Sequence, residues 1–298
     1  MNMRIILLIG LFLISGCRSN KQIQKLNAHL ERQDIVHEKI ESKPVTIFIH
    51  GTLPPIAERL VHAYDVPLGL HKAGALSTTL LMGKIPFLLS EADPQQFSFE
   101  TFYLFGWSGD LSFVSRKKEA YDLYYALKQL DNKGPITLIC HSHGCNLALN
   151  LALIVEEMKD TQFKVDRLIL LAGPVQKETE HFIRSPIFTK IYSLYSPIDL
   201  IQVLDPQGLY KDQKNKENIP LFSQRLFPAT HNLIQAEVKK GRQGKRGLLH
   251  IEFILADFIK RLPSVLKMLD QEAEKIKNAA DTTHFVIDLK KMMVTIKK

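Results

Sequence analysis

The chain has 298 residues, 45% of them hydrophobic and 23% charged, which is enough apolar material for one large α/β domain or two small ones and excludes a disordered or fibrous protein. Its formal charge of +8 permits anionic neighbours. The densest cationic stretch, KKGRQGKRG at 239–247, is broken by glycine and has no aromatic residue to stack on a base, so it reads as a solvated loop and no nucleic-acid partner is expected.

The chain opens with MNMRIILLIGLFLISGC: one early cation, Arg4, then an apolar run from Ile5 to Ile14 too short to span a bilayer stably, then Ser15 and Gly16. Residues 1–16 therefore read as a signal peptide. The run ISGC resembles the lipobox of bacterial lipoproteins, in which the cysteine is acylated and the peptide is cut just before it. The resemblance implies lipidation at Cys17 and a membrane as partner through that lipid. Arg18 stands where an aspartate would favour inner-membrane retention, which places the expected lipoprotein at the outer membrane facing the periplasm. An ordinary secretory signal, or a short inserted helix, is the competing reading. Residues 17–43 are polar and charged, without a strong apolar face, and read as a tether closed by Pro44.

From residue 44 the pattern changes. VTIFIHGT is a continuous β-branched and aromatic run of strand length. Residues 53–98, cut by five prolines, read as short helices and loops, an insertion that is either a lid over a pocket or ordinary core. FETFYLFGW at 99–107 is the second strand, RKKEAYDLYYALKQL at 116–130 an amphipathic helix and PITLICH the third strand. GCNLALNLALIVEEM follows as helix, then VDRLILLAGP and KIYSLYSP as strands, and residues 250–269 as a late amphipathic helix. Strands alternating with helices of these lengths predict an α/β fold, a mainly parallel twisted sheet with helices on both faces. The domain is set at 44–270, with 271–298 as a basic C-terminal extension.

The stretch ITLICHSHGCNLALN raises the functional question. Ser142 stands between His141 and His143 at the reversal from strand to helix, with Cys140 and Gly144 two positions to either side. A sharp turn of this kind pushes its central side chain out of the sheet edge and needs small neighbours. It resembles the nucleophile elbow of the α/β-hydrolase family, G-x-S-x-G, with cysteine in place of the first glycine. The family order of nucleophile, acid and base then implies Ser142 as nucleophile, Asp199 in SPIDLIQ as acid and His250 in GLLHIEF as base, with Asp205 and His231 as competitors. Oxyanion donors fall to the amides of His143 and of Thr52, in the segment IHGT, or Leu53. The resemblance implies a lipase-like or esterase-like serine hydrolase that takes a small-molecule or lipid ester and uses no cofactor. A non-catalytic envelope lipoprotein keeping the scaffold for binding is the alternative.

His141 and His143 also form H-x-H, a spacing that can bind zinc, but the further ligands of a metallohydrolase motif are absent and no metal is expected. Ser108, in FGWSGD, reads as a loop residue, and Trp107 as either pocket lining or core. Cys140 and Cys145 are expected as two buried thiols whose side chains diverge across the turn, although an oxidising compartment would permit a bond.

Overall fold

The computed structural model describes residues 43–52, 66–78, 81–130, 134–210, 219–240, 246–276 and 284–297. The expected signal peptide, Cys17 and the tether up to residue 42 lie outside these residues, as does Leu53. Among the described residues no helix is long and apolar enough to cross a membrane.

The apolar runs form the strands β1 (Val45–Ile49), β2 (Gly69–Lys72), β3 (Phe102–Gly106), β4 (Ile136–His141), β5 (Val165–Leu171), β6 (Phe188–Tyr195), β7 (Leu233–Lys240), β8 (Arg246–Gly247), β9 (His284–Asp288) and β10 (Met293–Ile296). They join in one ten-stranded sheet of order β10-β9-β7-β6-β5-β4-β1-β3-β2, with β8 beside β7. From β3 across to β9 all neighbours along that order are parallel, while β2, β8 and β10 run antiparallel against their partners. The period of two decides which helices each strand meets. Ile47 and Ile49 of β1, Leu138 of β4 and Leu168 and Leu170 of β5 pack with Leu123 and Leu127 of α2 (Phe113–Gln129) and with Leu147 and Leu151 of α3 (Gly144–Glu157). Phe48, Ile139 and Ile169 point the other way, towards Ile85 and Leu89 of α1 (Leu81–Ala92) and towards the C-terminal helices. Both faces of the sheet are thus covered, as an all-parallel centre requires.

Three expectations need correction. The helix read over 250–269 is broken into a 3-10 turn, His250–Ile254, then α5 (Ala256–Ile259) and α6 (Leu262–Lys275). Pro263 sits in the first turn of α6, where its missing N–H costs nothing, whereas mid-helix it would cost about 3 kcal/mol. The basic extension 271–298 is not an appendage: β9 pairs with β7, and Phe285 and Ile287 are fully buried. The strand β7, LIQAEVKK, went unread because Gln235 and Glu237 interrupt its apolar pattern. Both are buried and satisfied, Gln235 by the Phe227 backbone and Glu237 by Lys239 and Lys297. Within the stretch 53–98, β2 pairs with β3 and Met82, Ile85 and Leu89 of α1 are buried in the core, while 53–65 and 79–80 lie outside the described residues.

The chain leaves β1 towards β3 and leaves β4 towards β5, in opposite directions along the sheet. β1 and β4 are neighbours, so their carboxyl ends lie where the strand order reverses, the position where open α/β sheets collect ligands.

Candidate active site

Ser142 follows β4 at that position with φ of 53°, a left-handed conformation that costs a residue with a Cβ about 1–3 kcal/mol. The surroundings enforce it. The Ser142 amide donates to the Leu171 carbonyl at 3.0 Å, tying the turn to the end of β5, and the Ser142 carbonyl accepts from Cys145 N at 3.0 Å to open α3. A Cβ on Gly144 would lie 2.4 Å from the His50 carbonyl oxygen, so only glycine lets α3 start this close to β1. Cys140 and Cys145 are both free and buried, and burial pushes both thiols up.

The next two elements bring the expected acid and base together. Asp199 follows β6 and caps α4 (Leu200–Val203), its Oδ1 accepting from Gln202 N at 3.2 Å. Its Oδ2 accepts from His250 Nδ1 at 2.8 Å. A carboxylate is acceptor-only, so Nδ1 carries the proton and Nε2 is left as the basic nitrogen. Arg225 Nη2 donates to the Asp199 carbonyl at 2.9 Å and Gln202 Nε2 to the Gly173 carbonyl at 2.8 Å, which fixes the acid's loop against the sheet. His141, adjacent to Ser142, holds the other side of the pair: its Nε2 donates to the His250 carbonyl at 3.1 Å, and the two rings stand 4.7 Å apart. Among the described residues no hydrogen bond joins Ser142 Oγ to His250.

Thr52 follows Gly51 at the end of β1. A Cβ on Gly51 would lie 2.6 Å from Ser142 Cβ, so the two turns are in contact. Among the described residues neither the Thr52 nor the His143 amide donates to a backbone carbonyl. The Thr52 hydroxyl is also buried without a partner. His50 packs beneath this loop: its Nε2 accepts from Trp107 N at 3.3 Å, its Nδ1 donates to the Gly51 carbonyl at 2.7 Å, and its ring stacks on Trp107. Burial holds His50 below the usual imidazole range. Trp107 is buried and donates from its indole to the His50 carbonyl at 2.8 Å, while Ser108 lies exposed in the following loop.

The competitor Asp205 has another partner. Its Oδ1 accepts from His143 Nε2 at 3.0 Å and from the Tyr210 hydroxyl, and its Oδ2 accepts from Gln176 Nε2 at 2.7 Å and from Ser223 Oγ. Behind Gln176 stands the fully buried Arg116, which donates to its Oε1 at 3.0 Å and lies over the Phe113 and Tyr210 rings. Burial raises the Asp205 carboxyl, but the hydrogen bonds from His143, Ser223 and Tyr210 outweigh it and hold the group well below the usual carboxylate range. Burial lowers His143 despite Asp205. The two flanking imidazoles thus turn to different partners, His141 to the His250 backbone and His143 to Asp205. Among the described residues no group of three or more metal-ligating side chains converges. His231 is exposed and His284 is bonded to the Tyr195 hydroxyl in β9, so neither takes the place beside Asp199.

Strand order and the left-handed serine between β4 and α3 define an α/β-hydrolase fold. No protein-family model and no curated protein matches the sequence. Among solved structures the chain is similar to a hyperthermophilic esterase from Pyrobaculum calidifontis, at 14% identity over 80% of this chain and 78% of that one, with a TM-score of 0.37. It is also similar to the thermophilic carboxylesterase EstE1 from a metagenomic library, at 11% identity over 80% and 81% and a TM-score of 0.39. A third is a hormone-sensitive lipase from a metagenome library, at 12% identity over 97% and 89% and a TM-score of 0.34.

Proposed function

We propose that this protein is a serine hydrolase that cleaves carboxylic esters through an acyl-enzyme on Ser142. The observation that carries the reading is the part-buried Asp199 Oδ2 to His250 Nδ1 hydrogen bond of 2.8 Å, with His250 held by His141, the neighbour of the left-handed Ser142. A serine hydroxyl is a poor nucleophile until a neighbouring base takes its proton. His250 Nε2 takes it as Ser142 Oγ attacks the ester carbonyl, and Asp199 fixes the tautomer and stabilises the imidazolium. The amides of Thr52 and His143 receive the oxyanion, and the Thr52 hydroxyl, which has no partner among the described residues, adds a third donor. Collapse of the tetrahedral adduct expels the alcohol, which takes its proton from His250. Water, deprotonated by the same imidazole, then releases the acid.

A fluorophosphonate probe tests the reading directly. Labelling of the wild type at Ser142, lost in Ser142→Ala, is the expected result, together with turnover of p-nitrophenyl esters lowered at least about 10⁴-fold in that variant. Equal turnover in the two proteins removes the enzymatic reading, and an unlabelled wild type leaves a binding scaffold. The outer-membrane lipoprotein belongs to the same proposal and rests on the apolar run that ends in ISGC and on Arg18 after Cys17. A clickable fatty acid should label the wild type and not Cys17→Ser, and label on both sinks the anchor.

A further inference from the structure

We propose that His141 is a positioning residue that sets the distance between nucleophile and base, a role that rests on the Ser142 reading, by tying the His250 backbone to the strand that ends beside Ser142. The base has the least regular support in the site. Ser142 stands between β4 and α3, and Asp199 between β6 and α4, whereas His250 opens a 3-10 turn after the two-residue strand β8. Asp199 holds its ring at Nδ1, at 2.8 Å. One hydrogen bond fixes the tautomer but lets the ring swing about it, so the backbone of His250 has to be placed from elsewhere. Among the described residues the side chain that bonds that backbone is His141, whose Nε2 donates to the His250 carbonyl at 3.1 Å. The two rings also pack on each other, 4.7 Å apart.

His141 is itself immobilised. It ends β4, pairs with Leu171 of β5 and is 5% exposed. Its Nδ1 edge faces the turn after β1, where a Cβ on Gly51 would stand 3.3 Å away. A carbonyl only accepts, so Nε2 carries the ring's proton. Burial holds the imidazole well below its usual range, so it takes no second proton near neutral pH. The ring thus offers one donor at a fixed place and adds no charge beside the imidazolium that forms on His250. Consecutive residues at one strand end therefore place both partners of the proton transfer, Ser142 by carrying the hydroxyl and His141 by holding the residue that receives its proton. Reacting groups need such a supporting layer, since a misplacement near 1 Å costs about 10²-fold in rate.

The leaving group separates this role from a merely structural one. His250 protonates the departing alcohol, which a basic phenolate needs more than a p-nitrophenolate does. Phenyl and p-nitrophenyl butyrate share an acyl group, so kcat/KM for both reports acylation. The two esters are compared in the full chain as wild type, His141→Phe, His141→Asn and His141→Gln, below each variant's melting temperature. Phenylalanine keeps the ring and loses the donor, the asparagine amide stops short of the carbonyl, and the glutamine amide reaches the place of Nε2. In His141→Phe and His141→Asn the expected loss is about 10-fold on the p-nitrophenyl ester and about 10²-fold on the phenyl ester, with His141→Gln within about 3-fold of wild type on both. Fluorophosphonate labelling of Ser142 should slow in the same two variants and not in the glutamine one. If His141→Phe does not fold, the contrast between asparagine and glutamine carries the test. Equal losses on the two esters assign His141 to the elbow or the core and overturn the proposal, as do wild-type rates in the first two variants or a glutamine as damaging as asparagine. A wild type that takes no fluorophosphonate label fails the Ser142 reading and takes this proposal with it, whereas a labelled wild type with indifferent variants fails this proposal alone.

Discussion

Two aspartates six residues apart each pair with an imidazole, Asp199 with His250 and Asp205 with His143, the neighbour of Ser142, and single substitutions should separate their roles. In Asp199→Asn the side chain can still cap α4, but it no longer selects the His250 tautomer or stabilises its charge. Ester turnover is expected to fall by about 10⁴-fold with the melting temperature nearly unchanged. In Asp205→Asn the new amide meets donors from Gln176 and Ser223, and buried Arg116 loses the charge of a buried carboxylate that favours its cation. A loss of about 3–5 kcal/mol in denaturant unfolding is expected there. The reverse pattern, activity lost at 205 and stability at 199, would transfer the acid's role. Gly51→Ala tests the contact between the two turns: a methyl 2.6 Å from Ser142 Cβ must move the serine, and a displacement near 1 Å costs kcat about 10²-fold. Unchanged kcat in that variant would mean the elbow yields freely. The turn at Ser142 and the pairing of Asp199 with His250 were legible in the sequence, from small residues around the serine and from the order in which the three residues follow along the chain. Gly51 and the support from His141 were not, since both act across strands that only folding brings together.

At the scale of elements, the ends of β1 and β4 gather His50, His141 and His143, all buried, and burial lowers each of them. In the unfolded chain each accepts a proton near pH 6.5, while folded each stays neutral further into acid. Below that pH the unfolded state binds more protons, so stability is full above it and falls as the pH drops, by up to about 1.4 kcal/mol per pH unit for each imidazole. The Asp205 carboxyl acts in a lower window. Its folded value is depressed, so its contribution persists until the pH falls below the ordinary carboxylate range of about 4. Urea unfolding at pH 7 and pH 5 should differ by more than about 2 kcal/mol, and His50→Gln should shallow that slope by about one proton. A flat profile contradicts neutral buried imidazoles. None of this was readable from H-x-H, whose two rings end up serving different loops.

At the scale of the molecule, the β-α-β alternation from 44 to 197 announced the parallel sheet, because β1, β3, β4 and most of β5 are apolar runs, whereas the short antiparallel β2, GLHK, carries no such signal. The far edge was hidden, since β7 carries buried polar groups and β9 and β10 are short runs among lysines. The last fifteen residues should therefore be indispensable rather than trimmable. Removing 284–298 uncovers the backbone edge of β7 and deletes Phe285, Ile287, Leu289 and Val294 from the core. At about 1.5–3 kcal/mol for each buried side chain, that loss is comparable with the whole stability of a domain, about 5–15 kcal/mol. The truncated chain is expected to aggregate through the bared strand. The milder variant Ile287→Ala should stay soluble, lose about 2–4 kcal/mol in denaturant unfolding and still label with fluorophosphonate below its melting temperature, because β9 lies away from β1 and β4 in the sheet. A truncated chain that melts where the full one does would show that the sheet ends functionally at β7.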